Sequence, residues 1–492
     1  MKYYSTRDRK NVVTATQAIA QGLAADGGLF VPETIPSSTL AEIEAFCKMD
    51  YRSRAVAIMG KYLDEFTLAE LTAFVRDAYS DNYDSTEIAP TRFVNKNTAV
   101  LELWHGPTCA FKDMALQMLP RLLTASLKKL GEKREVCILV ATSGDTGKAA
   151  LEGFADVEGT SIVVFYPRDG VSDIQKLQMT TQHGKNVFIS AVEGNFDDAQ
   201  TGVKKIFSDR EFAKSLEEKG AFLSSANSIN WGRLLPQIVY YFSAYCDYVN
   251  SGKIKMGDEI DFCVPTGNFG DILAGWYAKK MGLPVRKLIC ASNSNNVLTD
   301  FINTGVYDRN REFYATISPS MDILVSSNLE RLLFMLSDDT SVKGWMEELK
   351  TKGKYDVGAK VLSKIQADFD AGFSSDEEAK AYIRELFKSS GYLMDTHTAD
   401  AYAVLANMTK IGAEFPTVIV STASPYKFSD SVLDALGEST VVSGAGLIEK
   451  LEDATGTTAP KPLTGLEGRE VRFTGCTSKE EMPDVVMSFL TK

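Results

Sequence analysis

One lysine in the chain, Lys112, stands in a sequence context that suits covalent amine chemistry. It follows Trp104 and Phe111 and precedes apolar residues at helical spacing, so it is predicted to lie in the first turn of an amphipathic helix. Aromatic packing and the positive end of a helix both favour the neutral amine that forms Schiff bases. Taken alone, the motif favours the simpler interpretation of a surface lysine, and Pro120 predicts a kink or an early helix end.

Two loops between a predicted strand and a predicted helix could bind anions. The run Thr142-Ser143-Gly144-Asp145-Thr146-Gly147 offers hydroxyls and amides at a helix N-terminus, which suits a carboxylate or a phosphate. The run Pro265-Thr266-Gly267-Asn268-Phe269-Gly270-Asp271 has glycines that let a phosphate approach successive amides. The first lacks the glycine and the residue order of a P-loop, and the second lacks the three-glycine spacing of a dinucleotide loop. Each loop alone is weak evidence, because capped helices after a turn are common.

A third polar stretch, Asn227-Ser228-Ile229-Asn230-Trp231-Gly232-Arg233, precedes an apolar helix predicted over 234–245. It concentrates amide, hydroxyl and guanidinium donors, and arginine is the side chain best suited to bidentate phosphate recognition. The alternative interpretation is a polar helix cap with an arginine that faces solvent.

The elements that must position these groups are predicted to form an α/β body. Continuous apolar runs rich in β-branched residues predict strands over 136–141, 161–166, 186–192, 260–264, 286–290 and 417–420. Such runs alternating with helices indicate a parallel sheet covered on both faces, and ligands bind outside the carboxyl ends of its strands. Residues 300–390 lose the strand signal and are predicted to be a helical elaboration, and the last fifty residues are uninformative.

Bulk composition excludes several classes of protein. A chain of 492 residues predicts two to four structural units, and its net charge of −12 argues against a broad nucleic-acid or membrane surface. Seven scattered cysteines without a C-x-x-C pair indicate reduced thiols rather than disulfides, and three histidines argue against a multi-histidine metal centre. No signal peptide or apolar stretch of spanning length is recognisable, so a cytoplasmic location is expected.

The order and spacing of the motifs resemble the threonine synthase family over about residues 3 to 428. Besides the runs above, the resemblance rests on Tyr-Tyr-Ser-Thr-Arg near the start, on the run from Gln21 to Pro32 that contains Asp-Gly-Gly-Leu, on His105-Gly106-Pro107-Thr108 with Phe111-Lys112-Asp113, and on Ser421-Thr422-Ala423-Ser424-Pro425-Tyr426-Lys427-Phe428. Phe-Lys-Asp alone suits several pyridoxal-phosphate enzymes, whereas the Asp-Gly-Gly-Leu and His-Gly-Pro-Thr elements discriminate between them.

The resemblance implies the tryptophan-synthase-β-like fold, which is fold type II of the pyridoxal-phosphate enzymes. The expected units are an N-terminal domain over 1–95, a large cofactor domain over 96–130 and 235–440, a small mobile domain over 131–234 and a C-terminal segment over 441–492. A monomer or a homodimer is expected.

The resemblance also implies the site. Pyridoxal 5'-phosphate is expected as a Schiff base on Lys112, which would also carry protons, and Thr422 is expected to hydrogen-bond the pyridine nitrogen. The cofactor phosphate is expected on Gly267, Asn268, Phe269, Gly270 and Asp271. The substrate carboxylate is expected on Ser143, Asp145 and Thr146, and the substrate phosphate on Asn227, Ser228, Asn230 and Arg233. Two departures stand out: many proteins of this fold have Asn where Asp145 stands, and the commoner signature has His and Ala at Ser424 and Tyr426.

The implied reaction converts O-phospho-L-homoserine and water to L-threonine and phosphate, which makes the expected enzyme a carbon–oxygen lyase acting on phosphates. A phospho-lyase that releases 2-oxobutyrate and ammonia from the same substrate shares the early chemistry. A serine/threonine dehydratase or a cysteine synthase is disfavoured by the stretch that contains Arg233. A non-catalytic interaction protein on the same scaffold would not bind the cofactor.

Overall fold

A computed structural model describes residues 1–142, 144–168, 171–408, 415–442 and 444–491. The strands are β1 (Lys2–Ser5), β2 (Asp8–Thr14), β3 (Phe30–Pro32), β4 (Thr91–Phe93), β5 (Thr98–Glu102), β6 (Glu135–Ala141), β7 (Thr160–Pro167), β8 (Val187–Val192), β9 (Ala221–Ser224), β10 (Ile260–Pro265), β11 (Val285–Ser292), β12 (Val306–Asp308), β13 (Lys354–Asp356), β14 (Phe369–Phe373), β15 (Thr417–Ser421) and β16 (Cys476–Thr477).

The helices are α1 (Ala15–Gln21), α2 (Leu40–Cys47), α3 (Tyr51–Gly60), α4 (Leu68–Ala78), α5 (Asp113–Leu116), α6 (Leu119–Lys129), α7 (Asp145–Phe154), α8 (Asp173–Thr180), α9 (Phe196–Ser208), α10 (Arg210–Glu218), α11 (Trp231–Leu234), α12 (Ile238–Asn250), α13 (Gly270–Lys280), α14 (Val297–Thr304), α15 (Leu329–Leu336), α16 (Asp339–Lys352), α17 (Gly358–Asp368), α18 (Asp376–Ser390), α19 (Thr396–Met408), α20 (Ser429–Leu436), α21 (Gly446–Thr455) and α22 (Met482–Leu490). Short 3-10 turns include Leu235–Gln237, Pro319–Met321 and Pro425–Phe428. None of the helices within these ranges is long and apolar enough to cross a membrane.

A six-stranded sheet forms the larger body, with the strand order β14-β11-β10-β15-β5-β4. Its neighbours run parallel except β4, which pairs antiparallel with β5. All six residues of β10 are buried, as expected for a central strand covered by helices on both faces. The loops that follow β5, β10 and β15 carry Lys112, Gly267 and Thr422, so the carboxyl ends of the strands bring these residues to one edge.

A five-stranded parallel sheet forms the smaller body, with the order β16-β8-β7-β6-β9. Every residue of β7 is buried. The loop after β6 leads into α7 and carries Asp145. The predicted fold class, parallel sheets with flanking helices and two α/β bodies, is confirmed.

The N-terminal segment adds the antiparallel sheet β2-β1-β3 and helices α1–α4. Its aromatic residues pack on Trp231 at the start of α11: the ring centroids of Tyr3 and Tyr62 lie 5.5 and 5.6 Å from that of Trp231, and Tyr277 of α13 lies 5.4 Å away. Aromatic pairs at this spacing add to the burial energy. This cluster fixes the short helix that carries Arg233.

Two helix predictions near the site differ in detail from the structure. The pattern around Lys112 predicts a helix that is kinked or ends early at Pro120. Lys112 precedes the four-residue helix α5, and α6 starts separately with Pro120 in its first turn. Proline is tolerated there because that N–H has no helical partner in any case. The helix predicted over 234–245 is divided by the 3-10 turn Leu235–Gln237, which contains Pro236, and continues as α12 to Asn250.

The prediction that residues 300–390 contain no strands is also wrong. Strand β14 pairs with β11 at the edge of the six-stranded sheet, and β12 pairs with β13. The sequence Phe-Asp-Ala-Gly-Phe of β14 is only partly buried, so an edge strand of this kind lacks the continuous apolar run that marks a central one. The C-terminal segment is informative as well, because β16 extends the five-stranded sheet and Met482 and Val486 of α22 pack on its core.

Candidate active site

Lys112 lies in a largely buried position between the two sheets. Its side chain is 11% exposed, its Nζ lies 3.8 Å from Oδ2 of Asp145, and it sits 4.7 Å from the ring centre of Phe111. Burial lowers the pKa of Lys112 to about 8, with Lys427 and Arg233 acting in the same direction and Asp145 and Asp113 in the opposite one. The amine is therefore partly neutral near neutral pH, as covalent carbonyl chemistry requires.

Asp113, the residue after Lys112, holds the loop before Lys112 in a closed turn. Asp113 accepts hydrogen bonds from the amide of Thr108 (2.8 Å) and from its hydroxyl (2.7 Å). A Cβ at Gly106 would lie 2.6 Å from Oδ2 of Asp113, so only glycine fits there. Burial raises the pKa of Asp113 to about 7. The His-Gly-Pro-Thr and Phe-Lys-Asp motifs are thus two halves of one closed turn.

The loop after β6 brings a carboxylate to Lys112. Oδ1 of Asp145 accepts hydrogen bonds from Nζ of Lys427 (2.6 Å) and from Nε2 of Gln175 (2.9 Å). Burial alone would raise the pKa of Asp145, but the cations of Lys427 and Lys112 hold it well below its ordinary value. Thr146 is half-buried in the first turn of α7, and Ser143 lies outside the described residues.

The glycine loop between β10 and α13 has the conformation of an anion cradle. Phe269 adopts the left-handed region (φ 63°), which alternates the direction of successive amides as in a nest. The carbonyl of Gly267 accepts a hydrogen bond from Ser326 (2.8 Å), and that of Asn268 accepts from the amide of Asn328 (3.1 Å). Within the described ranges, the N–H groups of residues 267–269 have no hydrogen-bond acceptor. The hydrogen bonds to these carbonyls hold the loop in place, and its unpaired amides can donate to a bound phosphate.

Two further features of this loop restrict what can bind. A Cβ at Gly267 would lie 2.7 Å from the carbonyl oxygen of Ser320, so a side chain is excluded there. The carboxylate of Asp271 lies beneath the loop, where Oδ1 accepts from the hydroxyls of Tyr240 (2.6 Å) and Tyr241 (2.8 Å). Its Oδ2 is buried and has no partner among the described residues, and burial raises the pKa of Asp271 to about 6. Asp271 can therefore contribute its amide rather than its carboxylate to an anion.

Thr422 lies at the end of β15, next to the residues that carry Lys112. Its carbonyl accepts a hydrogen bond from the amide of Phe111 (2.8 Å), and Ala423 bridges to Ala110. The side chain is largely buried, and its hydroxyl makes no hydrogen bond to any described residue. A free hydroxyl beside the lysine is compatible with the expected contact to a pyridine nitrogen.

The four residues expected at the substrate phosphate differ in whether their side-chain hydrogen-bonding groups are already used. Both side-chain groups of Asn230 are used, because Nδ2 donates to the carbonyl of Ile19 (2.9 Å) and Oδ1 caps Gly232 (2.8 Å). Ser228 accepts from Asn328 (3.3 Å), and Asn227 is exposed. Arg233 is 3% exposed and donates from Nη1 to the carbonyl of Ala226 (2.8 Å), while its Nε has no partner among the described residues. Burial lowers the pKa of Arg233 to about 10, and a buried guanidinium with unused donors suits an anion.

The structure adds residues to which the sequence assigned no role. Lys427 and Gln175 hold Asp145, and Asn328 with Arg331 ties the glycine loop to the 227–230 stretch. The Ser-Pro-Tyr-Lys signature contained Lys427, but its partner is distant in the chain. Arg331 had no distinguishing signal, because Leu-Glu-Arg-Leu-Leu is typical of an ordinary amphipathic helix.

The fold and the site define a pyridoxal-phosphate-dependent enzyme of fold type II, and residues 90–423 match the family model described as "Pyridoxal-phosphate dependent enzyme". Residues 2–79 match "Threonine synthase N terminus" and residues 398–486 match "Threonine synthase, C-terminal". The chain therefore belongs to the threonine synthase family, and the resemblance inferred from the sequence is confirmed.

Relatives with known names agree with this assignment. The threonine synthase of Saccharomyces cerevisiae is 40% identical over 88% of this chain and 89% of its own length. Human threonine synthase-like 1 is 42% identical over 86% of this chain, which spans only 58% of that longer protein. The solved structure of pyridoxal-phosphate-bound threonine synthase from Brucella melitensis superposes with a TM-score of 0.89 at 38% identity, covering 100% of this chain and 98% of that one.

Proposed function

We propose that this chain is a threonine synthase that converts O-phospho-L-homoserine and water to L-threonine and phosphate with pyridoxal 5'-phosphate as its cofactor. The observation that carries the proposal is that two separate anion-binding elements flank one buried lysine. The glycine loop at 267–271 suits the cofactor phosphate, and the buried Arg233 suits a phosphate on the substrate. A serine/threonine dehydratase or a cysteine synthase would need only the first element.

The residues around Lys112 fit the cofactor. Pyridoxal phosphate, when bound, supplies an electron-withdrawing ring that stabilises negative charge on substrate carbons. Lys112 would hold it covalently through Nζ, the amides of residues 267–271 would bind its phosphate, and the free hydroxyl of Thr422 would face the ring nitrogen. An uncharged hydroxyl does not hold a proton on that nitrogen as an aspartate would, which disfavours transamination.

Lys112 is also the group that moves protons. With a pKa of about 8, about a tenth of the amine is neutral at pH 7, compared with less than about a thousandth for an ordinary lysine. The free Nζ of Lys112 would take the proton from Cα of the substrate and later move a proton at Cβ. Phosphate leaves from Cγ, and water adds at Cβ.

Two further regions would bind the substrate. Arg233 would donate to the substrate phosphate, with Asn227, Ser228 and Asn230 shaping the surrounding loop. The loop containing Ser143, Asp145 and Thr146 would bind the substrate carboxylate, and the negative charge of Asp145 is compensated there by Lys427.

Borohydride trapping tests the central role of Lys112. Reduction of the yellow holoenzyme should place the cofactor label on the peptide that contains Lys112, and Lys112→Ala should abolish turnover while the protein stays folded. Lys253 provides a matched control, because its Nζ lies 4.6 Å from the ring centre of Phe93 but is exposed and far from the two loops. Lys253→Ala should retain turnover and labelling. Labelling at another lysine, or a colourless protein, would contradict the proposal.

Product analysis separates the proposed reaction from the phospho-lyase alternative. Incubation with O-phospho-L-homoserine should yield threonine and phosphate in equal amounts. Release of 2-oxobutyrate and ammonia without threonine would show that the enzyme stops before hydration.

We also propose a cytoplasmic monomer or homodimer that binds neither nucleic acid nor membranes. The net charge of −12 and the free state of all seven cysteines support this proposal. Sedimentation of the purified holoenzyme would measure the oligomeric state.

A further inference from the structure

Lys427 is a fully buried lysine whose two contacts both lead to the active site. It lies in the 3-10 turn Pro425–Phe428 that follows β15 and is 0% exposed. Its Nζ donates to Oδ1 of Asp145 at 2.6 Å and to the carbonyl of Thr108 at 2.8 Å. Burial of an ammonium is costly unless such partners compensate it, so the contacts are specific features of the fold.

The contact with Asp145 joins the two sheets. Asp145 is the first residue of α7, which follows the interior strand β6 of the five-stranded sheet, whereas Lys427 follows β15 of the six-stranded sheet. Gln175 of α8 donates to the same oxygen at 2.9 Å. The carboxylate is therefore oriented from both bodies, with Oδ2 left towards Lys112 at 3.8 Å.

The contact with Thr108 reaches Lys112 by a second route. Thr108 donates from its amide and hydroxyl to Asp113, the residue that follows Lys112. Lys427 thus fixes the turn before Lys112 as well as the carboxylate opposite it.

Charged groups of both signs act on Lys112. The anionic groups that act on it are Asp145 of α7, Asp113 of α5 and Asp271 of α13, and the cationic groups are Lys427 of the 425–428 turn and Arg233 of α11. Lys427 occupies the nearest carboxylate at hydrogen-bond distance, while Lys112 lies more than 1 Å farther from it. Without Lys427, Asp145 would be free to pair closely with the ammonium form of Lys112.

We propose that Lys427 is a positioning residue that occupies Asp145 and so prevents this carboxylate from holding Lys112 as an ammonium. The inference rests on the proposed role of Lys112.

The test is the pH dependence of Lys112 labelling in the full-length chain freed of cofactor. Competitive acetylation followed by peptide mass analysis gives the pH midpoint of Lys112 itself. Lys427→Met should raise this midpoint by about one pH unit or more, because a neighbouring positive charge is removed and Asp145 becomes available. Lys427→Arg should keep it near the wild-type value, and the double variant Lys427→Met/Asp145→Asn should return it towards that value.

Lys148→Met is the matched control, because Lys148 is also buried, lies on the same helix as Asp145, and pairs with Glu152 at 2.9 Å instead. It should leave the Lys112 midpoint unchanged. If Lys427→Met does not fold, Lys427→Gln takes its place, with the same expected rise. An unchanged midpoint in the folded Lys427 variant, or a midpoint that stays raised in the double variant, would overturn the inference. The readout needs neither cofactor nor turnover, so it is independent of borohydride trapping and product analysis, which test the proposed function.

Discussion

Arg233 and Arg331 are two buried arginines that form no ion pair within the described parts of the chain, yet their surroundings differ. Arg331 is fully buried, and its three nitrogen groups donate to the carbonyl of Phe30 (2.9 Å), to Oδ1 of Asn328 and to the carbonyl of Ile229. Arg233 is 3% exposed, donates once to the carbonyl of Ala226, and has an unpartnered Nε. Burial lowers the pKa of each to about 10.

The difference shows how to separate a structural arginine from a binding one. Two of the three donor groups of Arg331 bond main-chain oxygens of segments that are distant in sequence, so it joins the N-terminal segment to the 227–230 stretch. Arg233 is buried to a similar extent but has fewer acceptors, as expected under the proposed function, in which an anionic substrate supplies them. Accordingly, we expect loss of Arg331 to affect stability and loss of Arg233 to affect ligand binding.

The largest expected effect is the loss of stability in Arg331→Met. Removal of the guanidinium leaves two carbonyls and the Asn328 side chain buried without donors, at about 1–3 kcal/mol each. We expect the free energy of unfolding in urea to fall by at least about 3 kcal/mol. Arg233→Met, measured in parallel, should change it by no more than about 1 kcal/mol, because one hydrogen bond is lost and a buried charge is removed. Equal losses in both variants would remove the distinction.

Arg233→Met should act on the reaction. Hydrogen bonds to charged groups contribute about 1.5–3 kcal/mol, so kcat/KM for O-phospho-L-homoserine should fall about 10- to 150-fold. Discrimination against unphosphorylated homoserine should relax in the same variant. The kcat/KM of Arg233→Lys should lie between those of Arg233→Met and the wild type, because lysine retains the charge without the bidentate geometry. A decrease below threefold would assign Arg233 to the framework.

Inorganic phosphate should stabilise the holoenzyme through Arg233. At ten times its Kd, a ligand that binds only the folded state adds about 1.4 kcal/mol, which for a chain of this length raises Tm by about 1–2 °C. The rise in Tm should be absent in Arg233→Met and retained in Glu330→Gln, a conservative variant beside Arg331. Its persistence in Arg233→Met would point to a different phosphate site.

The smallest expected effect comes from the ion pair beside Arg331. Glu330 accepts from Nε of Arg7 at 2.9 Å and from Nη2 at 2.8 Å, but the Arg7 side chain is 29% exposed. Glu330→Gln should lower the free energy of unfolding by about 1 kcal/mol, since the amide keeps part of the hydrogen bonding and solvent screens the charge. It should leave kcat/KM unchanged. A decrease as large as that of Arg331→Met would mean that charge, rather than satisfied main-chain oxygens, stabilises this region.

The elements predicted best from the sequence are the central strands. β6, β7, β8, β10, β11 and β15 lie within two residues of their predicted bounds, because strands buried on both faces show continuous apolar runs. β14 was missed because an edge strand needs no such run. Pro120 indicated an early end of the helix after Lys112, but the position of the break at Met118 was not predicted, because helical spacing continues across it.

The site divides in a similar way. Local motifs predicted the loops that carry Lys112, Asp145, Gly267 and Arg233, since each depends on residues adjacent in the chain. The pairing of Lys427 with Asp145 and the two main-chain contacts of Arg331 could not be predicted, because they join segments that only the folded chain brings together. Distant partners also decide whether a predicted side chain keeps unused donors. Arg233 keeps an unused donor, whereas Asn230 does not.

The aromatic cluster around Trp231 has a consequence for the order in which the chain is assembled during synthesis. Tyr3 leaves the ribosome more than 200 residues before its neighbour Trp231, and Tyr277, which completes the cluster, emerges later still. Tyr3 of β1 therefore stays uncovered by the rings of Trp231 and Tyr277 until both residues have been synthesised. The packing of β1 against the helix that carries Arg233 is therefore a late contact between segments far apart in the chain.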